Sequence, residues 1–264
     1  MTRRLAYVLI LLAAGLLFAC ARAAYTNRSQ LLLISEGQEV QLGLQAAQDV
    51  LKKEKESRDA LQTERVRRIG RRIASAANRS DYKWEFHLIE KADVNAFCLP
   101  GGKVFVYTGI LNLATSNDEL AAVMGHEIAH ALERHGGERV SMALMAQLGG
   151  AAASAALGAS VSPAAGQLFN QAYGVGAQVG VILPHSRVQE SEADEVGMIL
   201  AAKAGYAPEG ALSLWRKMDA YSKSKGQNVP AWLSTHPSSQ QRIADIQAKM
   251  GAIRARYFQR HELN

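Results

Sequence analysis

His126, Glu127 and His130 stand in the order H-E-I-A-H, within a stretch whose composition is strongly helical. An α-helix completes a turn in about 3.6 residues, so positions four apart stack on one face. Two imidazoles placed so can reach one metal ion, and Glu127 beside them can take a proton from water at that ion. Such chemistry is hydrolytic, most often of peptide bonds. A catalytic zinc also needs a third protein ligand and one open position. Glu190, in the segment L-P-H-S-R-V-Q-E-S-E-A-D that ends at Asp194, is the candidate. Glu190 and Asp194 are four residues apart and share a helix face. One carboxylate can bind metal while the other accepts a hydrogen bond from a ligand histidine and fixes its tautomer. Glu192 points elsewhere on that helix, and Glu195 lies too far round.

These groups require helices to hold them. Ser116 and Glu119 form a capping box, with Asn117 and Asp118 adding polar groups at the same N-terminus. Leu120, Val123, Met124, Ile128, Ala131 and Leu132 follow with a helical apolar period, and Gly136 and Gly137 are predicted to end the helix. Further helices are predicted over residues 35–53 and 61–77. Strands are predicted over 84–89, 95–99 and 103–107, the last two joined in a hairpin at Gly101 and Gly102. The remainder reads as helix, so the fold class is α+β, predominantly helical. Residues 141–182 are rich in Ala and Gly, with no Asp, Glu, Lys or Arg between Arg139 and Arg187. Glutamines and glycines interrupt them, which favours buried helices or a lid over the cleft above a membrane span.

H-E-I-A-H followed by the 183–194 segment resembles the gluzincin zinc metallopeptidases that include HtpX and the CAAX prenyl protease. D-V-N-A-F-C-L-P-G-G at 93–102, V-F-V-Y-T-G at 104–109, and S-T-H-P at 234–237 followed by Arg242 resemble segments of that family's soluble bacterial lipoprotein branch, typified by LoiP and the peptidase domain of BepA. The similarity spans about residues 35 to 250. It implies a zincin-like fold whose small sheet presents an edge to the H-E-x-x-H helix, with Asn95, Ala96 and Phe97 holding substrate as an added strand. It implies one zinc ion per chain bound by His126, His130 and Glu190, with Glu127 as general base and then proton donor. Asp194 would support a ligand histidine. His236, in S-T-H-P, matches a histidine that closes the site as a fourth, displaceable ligand. His236 and Arg187 are both candidates for the oxyanion donor, and Arg187 has a competing role as the anchor of a carboxylate. His185 is expected near the site without binding metal, and His87, His135 and His261 are expected to be structural or exposed. No tetratricopeptide pattern follows the peptidase unit, unlike BepA.

The N-terminus bears on location. Arg3 and Arg4 precede an apolar stretch over 5–18 that is short for a membrane span, and it ends L-F-A-C at Cys20. This resembles a lipobox, with Cys20 as the lipidated residue; an ordinary signal peptide cut near Ala19 is the alternative. The expected organisation is a lipoprotein signal peptide at 1–19, a lipidated N-terminus and tether at 20–34, a zinc metallopeptidase domain at 35–256 and a tail at 257–264. Ala21 after the cysteine favours an outer-membrane lipoprotein facing the periplasm, with a soluble periplasmic or inner-membrane-anchored protein as the other possibilities. Lipidation of Cys20 leaves Cys98 alone, so no intrachain disulfide forms. Cys98 reads as a small buried hydrophobe, not a nucleophile. Loss of residues 1–19 removes two arginines and no acid, taking the net charge from +6 to +4. The arginines between 65 and 72 are interleaved with helical spacing as a solvated face, and no nucleic-acid-binding motif is present. The expected partners are polypeptide substrates, the membrane through Cys20, and outer-membrane assembly components. Two functions follow: an endopeptidase for misfolded or unassembled envelope proteins, or an assembly chaperone with latent, His236-gated activity.

Overall fold

The computed structural model describes residues 20–156, 186–226, 231–237 and 239–259. The signal segment 1–19, His185, His261 and most of the Ala/Gly-rich stretch beyond residue 156 lie outside the described residues.

A sheet of three strands is the platform for the site. β3 (Glu85–Ile89) and β4 (Ala96–Leu99) flank β5 (Lys103–Tyr107) in the order β3-β5-β4. β4 and β5 form the predicted hairpin, pairing Phe97 with Phe105 and Cys98 with Val104. Gly101 and Gly102, at φ +83° and +88°, make a turn that side-chain-bearing residues rarely adopt. β3 lies parallel to β5. Alternate residues serve two cores. Phe97, Leu99, Phe105 and Tyr107 pack with Ala46, Ala47 and Val50 of α1 (Glu36–Lys53). Phe86, Leu88, Ala96, Cys98, Val104 and Val106 face the larger core, to which α2 (Ala60–Ala77) contributes Val66, Ile69 and Ile73. Both faces are thus covered, and every residue of β4 and β5 is buried.

α3 (Asn117–Leu132) runs beside β4. Its capping box is formed as expected: the Ser116 hydroxyl accepts from Glu119 N–H, and the Glu119 carboxylate accepts from Ser116 N–H. Its end differs from expectation. The helix stops at Leu132, Arg134 turns the chain at φ +56°, and Gly136 and Gly137 lie in the first turn of α4 (His135–Ala156). The Arg134 guanidinium pairs with buried Glu39 and donates to Ile34 O at 2.9 Å, which holds the left-handed turn. Gly137 serves packing: a Cβ there would meet Glu39 Oε1 at 2.4 Å.

α5 (Arg187–Lys203) crosses α3 where Gly197 meets Gly125. A Cβ on Gly125 would stand 2.7 Å from Gly197 O, and one on Gly197 would stand 2.8 Å from His126 N. Backbone-to-backbone contact is therefore what brings α5 to the motif. α6 (Glu209–Lys225), the short α7 (Ala231–Thr235) and α8 (Gln240–Tyr257) close the other side. No helix among the described residues is long and apolar enough to cross a membrane.

Residues 20–34, read from the sequence as a lipidated N-terminus and tether, carry a docked hairpin. β1 (Cys20–Arg22) and β2 (Ser29–Leu31) form an antiparallel hairpin docked through ion pairs of Arg28 to Glu138 and Glu192. The buried carboxylates that receive Arg28 belong to helices more than a hundred residues away, so local composition could not reveal the docking.

Candidate active site

His126 and His130 project from one face of α3 with their Nε2 atoms 3.0 Å apart. Glu190, in the first turn of α5, brings Oε1 to 3.3 Å from His130 Nε2 and Oε2 to 3.7 Å from His126 Nε2. His236, just after α7, completes the group: one donor atom from each of His126, His130, Glu190 and His236 lies within 4.8 Å of the others, and all four residues are buried. Glu190 Oε1 makes no hydrogen bond among the described residues. Buried imidazole nitrogens and a carboxylate oxygen aimed at one point repel one another or compete for protons unless a cation lies between them. The residues present therefore fit a divalent metal of the kind that takes nitrogen and oxygen ligands.

The glutamate of the motif stands next to this group. Glu127 Oε1 is 3.8 Å from His236 Nε2 and accepts a 2.6 Å hydrogen bond from the Trp232 indole N–H. Burial, opposed by His126 and by that hydrogen bond, pushes its carboxyl up to about 7, a value suited to exchanging protons near neutrality. Trp232 also stacks on His236, ring centres 4.9 Å apart, and Trp215 stacks on Trp232 at 5.3 Å. His236 Nδ1 lies 3.0 Å from Trp232 O, and burial holds its imidazole well below its usual range, in the neutral form that can ligate metal.

Asp194 Oδ1 lies 3.0 Å from His126 Nδ1. Burial alone would raise its carboxyl. The charge and hydrogen bonds of Arg242 outweigh this and lower it. Arg242 is the residue whose role the sequence did not disclose. Its Nε and Nη2 donate to the two Asp194 oxygens at 2.5 and 2.8 Å, and its Nη1 pairs with Glu190. Its guanidinium carbon lies 3.5 Å from the centre of the Trp215 ring. One guanidinium thus pairs with two buried carboxylates on α5 and offsets part of their charge. Trp232 was missed as well, and His135 was read only as structural or exposed. His135 is fully buried, with Nδ1 2.8 Å from His130 Nδ1 and Nε2 3.2 Å from Glu192 Oε2. Glu192 does point away from the donors, but towards their support.

Other expected residues fall as follows. Asn95, Ala96 and Phe97 are buried at β4, with the Phe97 ring stacked 5.0 Å from Phe105. In that arrangement the side chains serve the core, and the strand's outer edge is left as backbone. Arg187 is exposed at the start of α5 and lines a cavity of about 360 Å³ with Glu190 and Arg242. His87 is partly buried, with Nδ1 2.8 Å from Glu56 and its ring stacked on Phe105. Cys98 is buried, and burial raises its thiol well above the usual range, as suits an unreactive core residue.

A donor set of this kind, with a buried glutamate beside it, has the form of a metallopeptidase site, and the fold that carries it is zincin-like. The chain belongs to Peptidase family M48, whose sequence profile matches residues 60–250. It is similar to the mitochondrial metalloendopeptidase OMA1 of Schizosaccharomyces pombe, 41% identical over 182 residues that make up 69% of this chain and 51% of that protein. It resembles human metalloendopeptidase OMA1, mitochondrial, at 35% over 166 residues, 62% of this chain and 32% of that protein. The β-barrel assembly-enhancing protease of Escherichia coli K12 is 28% identical over 235 residues, 87% of this chain and 47% of that protein. The chain spans about half the length, or less, of these curated relatives.

Proposed function

We propose that the protein is a zinc-dependent endopeptidase of the bacterial cell envelope that hydrolyses misfolded or unassembled envelope proteins. The observation that carries the hydrolytic reading is the convergence of His126, His130 and Glu190 with Glu127 alongside. Zinc is the metal that best suits two or three imidazoles and one carboxylate, and when bound it supplies Lewis acidity that polarises a scissile carbonyl and acidifies water. Glu127 takes the proton from the attacking water and delivers it to the leaving amine. Trp232 keeps one oxygen of Glu127 engaged, so the other is available for that exchange. Asp194 and Arg242 hold His126 and Glu190 in place. The outer edge of β4 at Ala96 and Phe97, with Asn95 just before it, takes an extended peptide by strand addition, which tolerates many sequences. His236 is better placed than the exposed Arg187 to face a developing oxyanion, once it has left the donor group.

The envelope assignment is supported by the L-F-A-C sequence at Cys20 and by the E. coli relative's name as a β-barrel assembly-enhancing protease; the OMA1 relatives are named as mitochondrial proteins. With Cys20 as lipid anchor, the anchored residue is also the first of β1, which sets the domain close to the membrane.

A second reading, an assembly chaperone with latent activity, is favoured by one observation: His236 stands among the donors, where as a fourth ligand it would occupy the position a substrate needs. Purified protein, Glu127→Gln and His236→Ala are to be compared on an unfolded protein with added zinc. The endopeptidase reading predicts cleavage by wild type and at least a hundredfold loss in Glu127→Gln. Equal cleavage by these two would defeat it. Cleavage by His236→Ala alone would favour the latent reading.

A further inference from the structure

The turn between β1 and β2 reaches the acids that surround the supports of the donor group. Thr26 Oγ1 donates to Glu192 Oε1 at 2.6 Å, and Arg28 Nε donates to Glu192 Oε2 at 2.7 Å. The other Arg28 nitrogens hold both oxygens of Glu138, at 2.8 and 2.6 Å. Tyr25 N–H donates to Glu133 Oε1 at 2.7 Å. The hairpin is therefore fastened to acids following α3, on α4 and on α5.

Glu192 then faces His135, and His135 faces His130. Two ring nitrogens 2.8 Å apart share a single proton. The Glu192 carboxylate can only accept, so His135 Nε2 must donate to it. In a neutral ring His135 Nδ1 is then an acceptor, and His130 Nδ1 is the donor. This leaves the lone pair of His130 Nε2 turned towards the donor group, the form needed by a metal ligand. His126 needs no such relay, because Asp194 meets its Nδ1 directly at 3.0 Å.

We infer that the N-terminal hairpin is a positioning element of the metal site: Thr26 and Arg28 hold Glu192, and through Glu192 and His135 they set the tautomer and ring orientation of His130. The inference rests on the reading of His130 as a metal ligand. Thr26 and Arg28 are more than a hundred residues from His130 in sequence, and neither touches the donors. Their effect is on how well the site is held.

The test uses the purified full chain, with zinc affinity measured by competition with a chromogenic chelator. The variants are Thr26→Val, which keeps shape and removes the hydroxyl, Thr26→Ser, which restores it, and Arg28→Gln. Thr26→Val and Arg28→Gln together should weaken zinc binding by about tenfold or more. They should lower kcat with little change in KM, and shift the visible absorption of the cobalt(II)-substituted protein. Thr26→Ser should match wild type. Near-UV circular dichroism of the metal-free variants should match that of the metal-free wild type. Unchanged zinc affinity and cobalt spectrum in the double variant would overturn the inference, as would an equal loss in Thr26→Ser. If wild type itself takes up no zinc, the metal-site reading fails first, and this inference fails with it.

Discussion

Arg242 holds the carboxylate side of the site together. It is buried, pairs with Glu190 and Asp194, and lies over Trp215. Removing one partner of a buried ionic group leaves the others uncompensated, at a cost of about 3–5 kcal/mol. Arg242→Met is therefore expected to lose stability on that order in urea denaturation, and to take up less zinc than wild type under the same conditions. Retention of full stability would mean that Glu190 and Asp194 are neutral or solvated without it. The sequence shows Arg242 only as the residue that follows S-T-H-P. Nothing in its spacing links it to Glu190, since the two lie on different helices. The same holds for Trp232 and His135. An indole or imidazole in a helical stretch reads as core until its partner is known. The convergence of His126 with His130, and of Glu190 with Asp194, could be anticipated because each pair sits within about one turn of one helix, where spacing alone dictates a shared face.

At the scale of elements, the decisive contact is the crossing of α3 and α5 at Gly125 and Gly197. It carries Glu190 and Asp194 to the imidazoles, and there is no room for a side chain at the crossing. Gly197→Ala adds a methyl group 2.8 Å from His126 N, so the helices must separate. Overpacking of this kind costs about 1–3 kcal/mol. The expected result is a lower thermal midpoint in the metal-free protein and a further loss in the stabilisation that added zinc provides. An unchanged zinc increment would show that the crossing supports the fold without setting the donor distances. Sequence patterns located these helices well: the capping box at Ser116 and the strands around Gly101 and Gly102 lie where predicted. The glycines after His135 misled, because glycine commonly ends helices. Here Arg134 makes the left-handed turn, tied down by Glu39, and Gly137 is small to make room for that same Glu39.

For the whole molecule, the cap of the metal helix is also a fastening point between distant segments. Glu119 accepts from Ser213 Oγ at 2.6 Å and pairs with Lys217 at 2.6 Å, joining α3 to α6. Burial alone would raise its carboxyl, but the hydrogen bonds from Lys217, Ser213, Ser116 and Thr115 lower it to about 2 from an ordinary 4.5. A carboxylate depressed by folding contributes stability above its unfolded value, and that contribution is lost as pH falls through the folded value. The protein should therefore lose stability between about pH 4.5 and about pH 2, and Glu119→Gln should be less stable at neutral pH with a flatter acid limb. Thermal midpoints measured across that range check this; a parallel acid limb in the variant would assign the loss to other carboxylates.

Sequence alone singled out the candidate residues for metal binding and proton transfer, and most of the helices and strands that carry them. Those signals are local, because capping, apolar period and four-residue spacing act within a turn or two of chain. Tertiary structure decided which groups meet. It set Arg242 between Glu190 and Asp194, brought Trp232 to Glu127, ran β3 parallel to β5, and fastened the N-terminal hairpin to Glu192. Such pairings depend on burial, on the removal of competing water and on the close fit of helices at two glycines. They arise only when the whole chain packs.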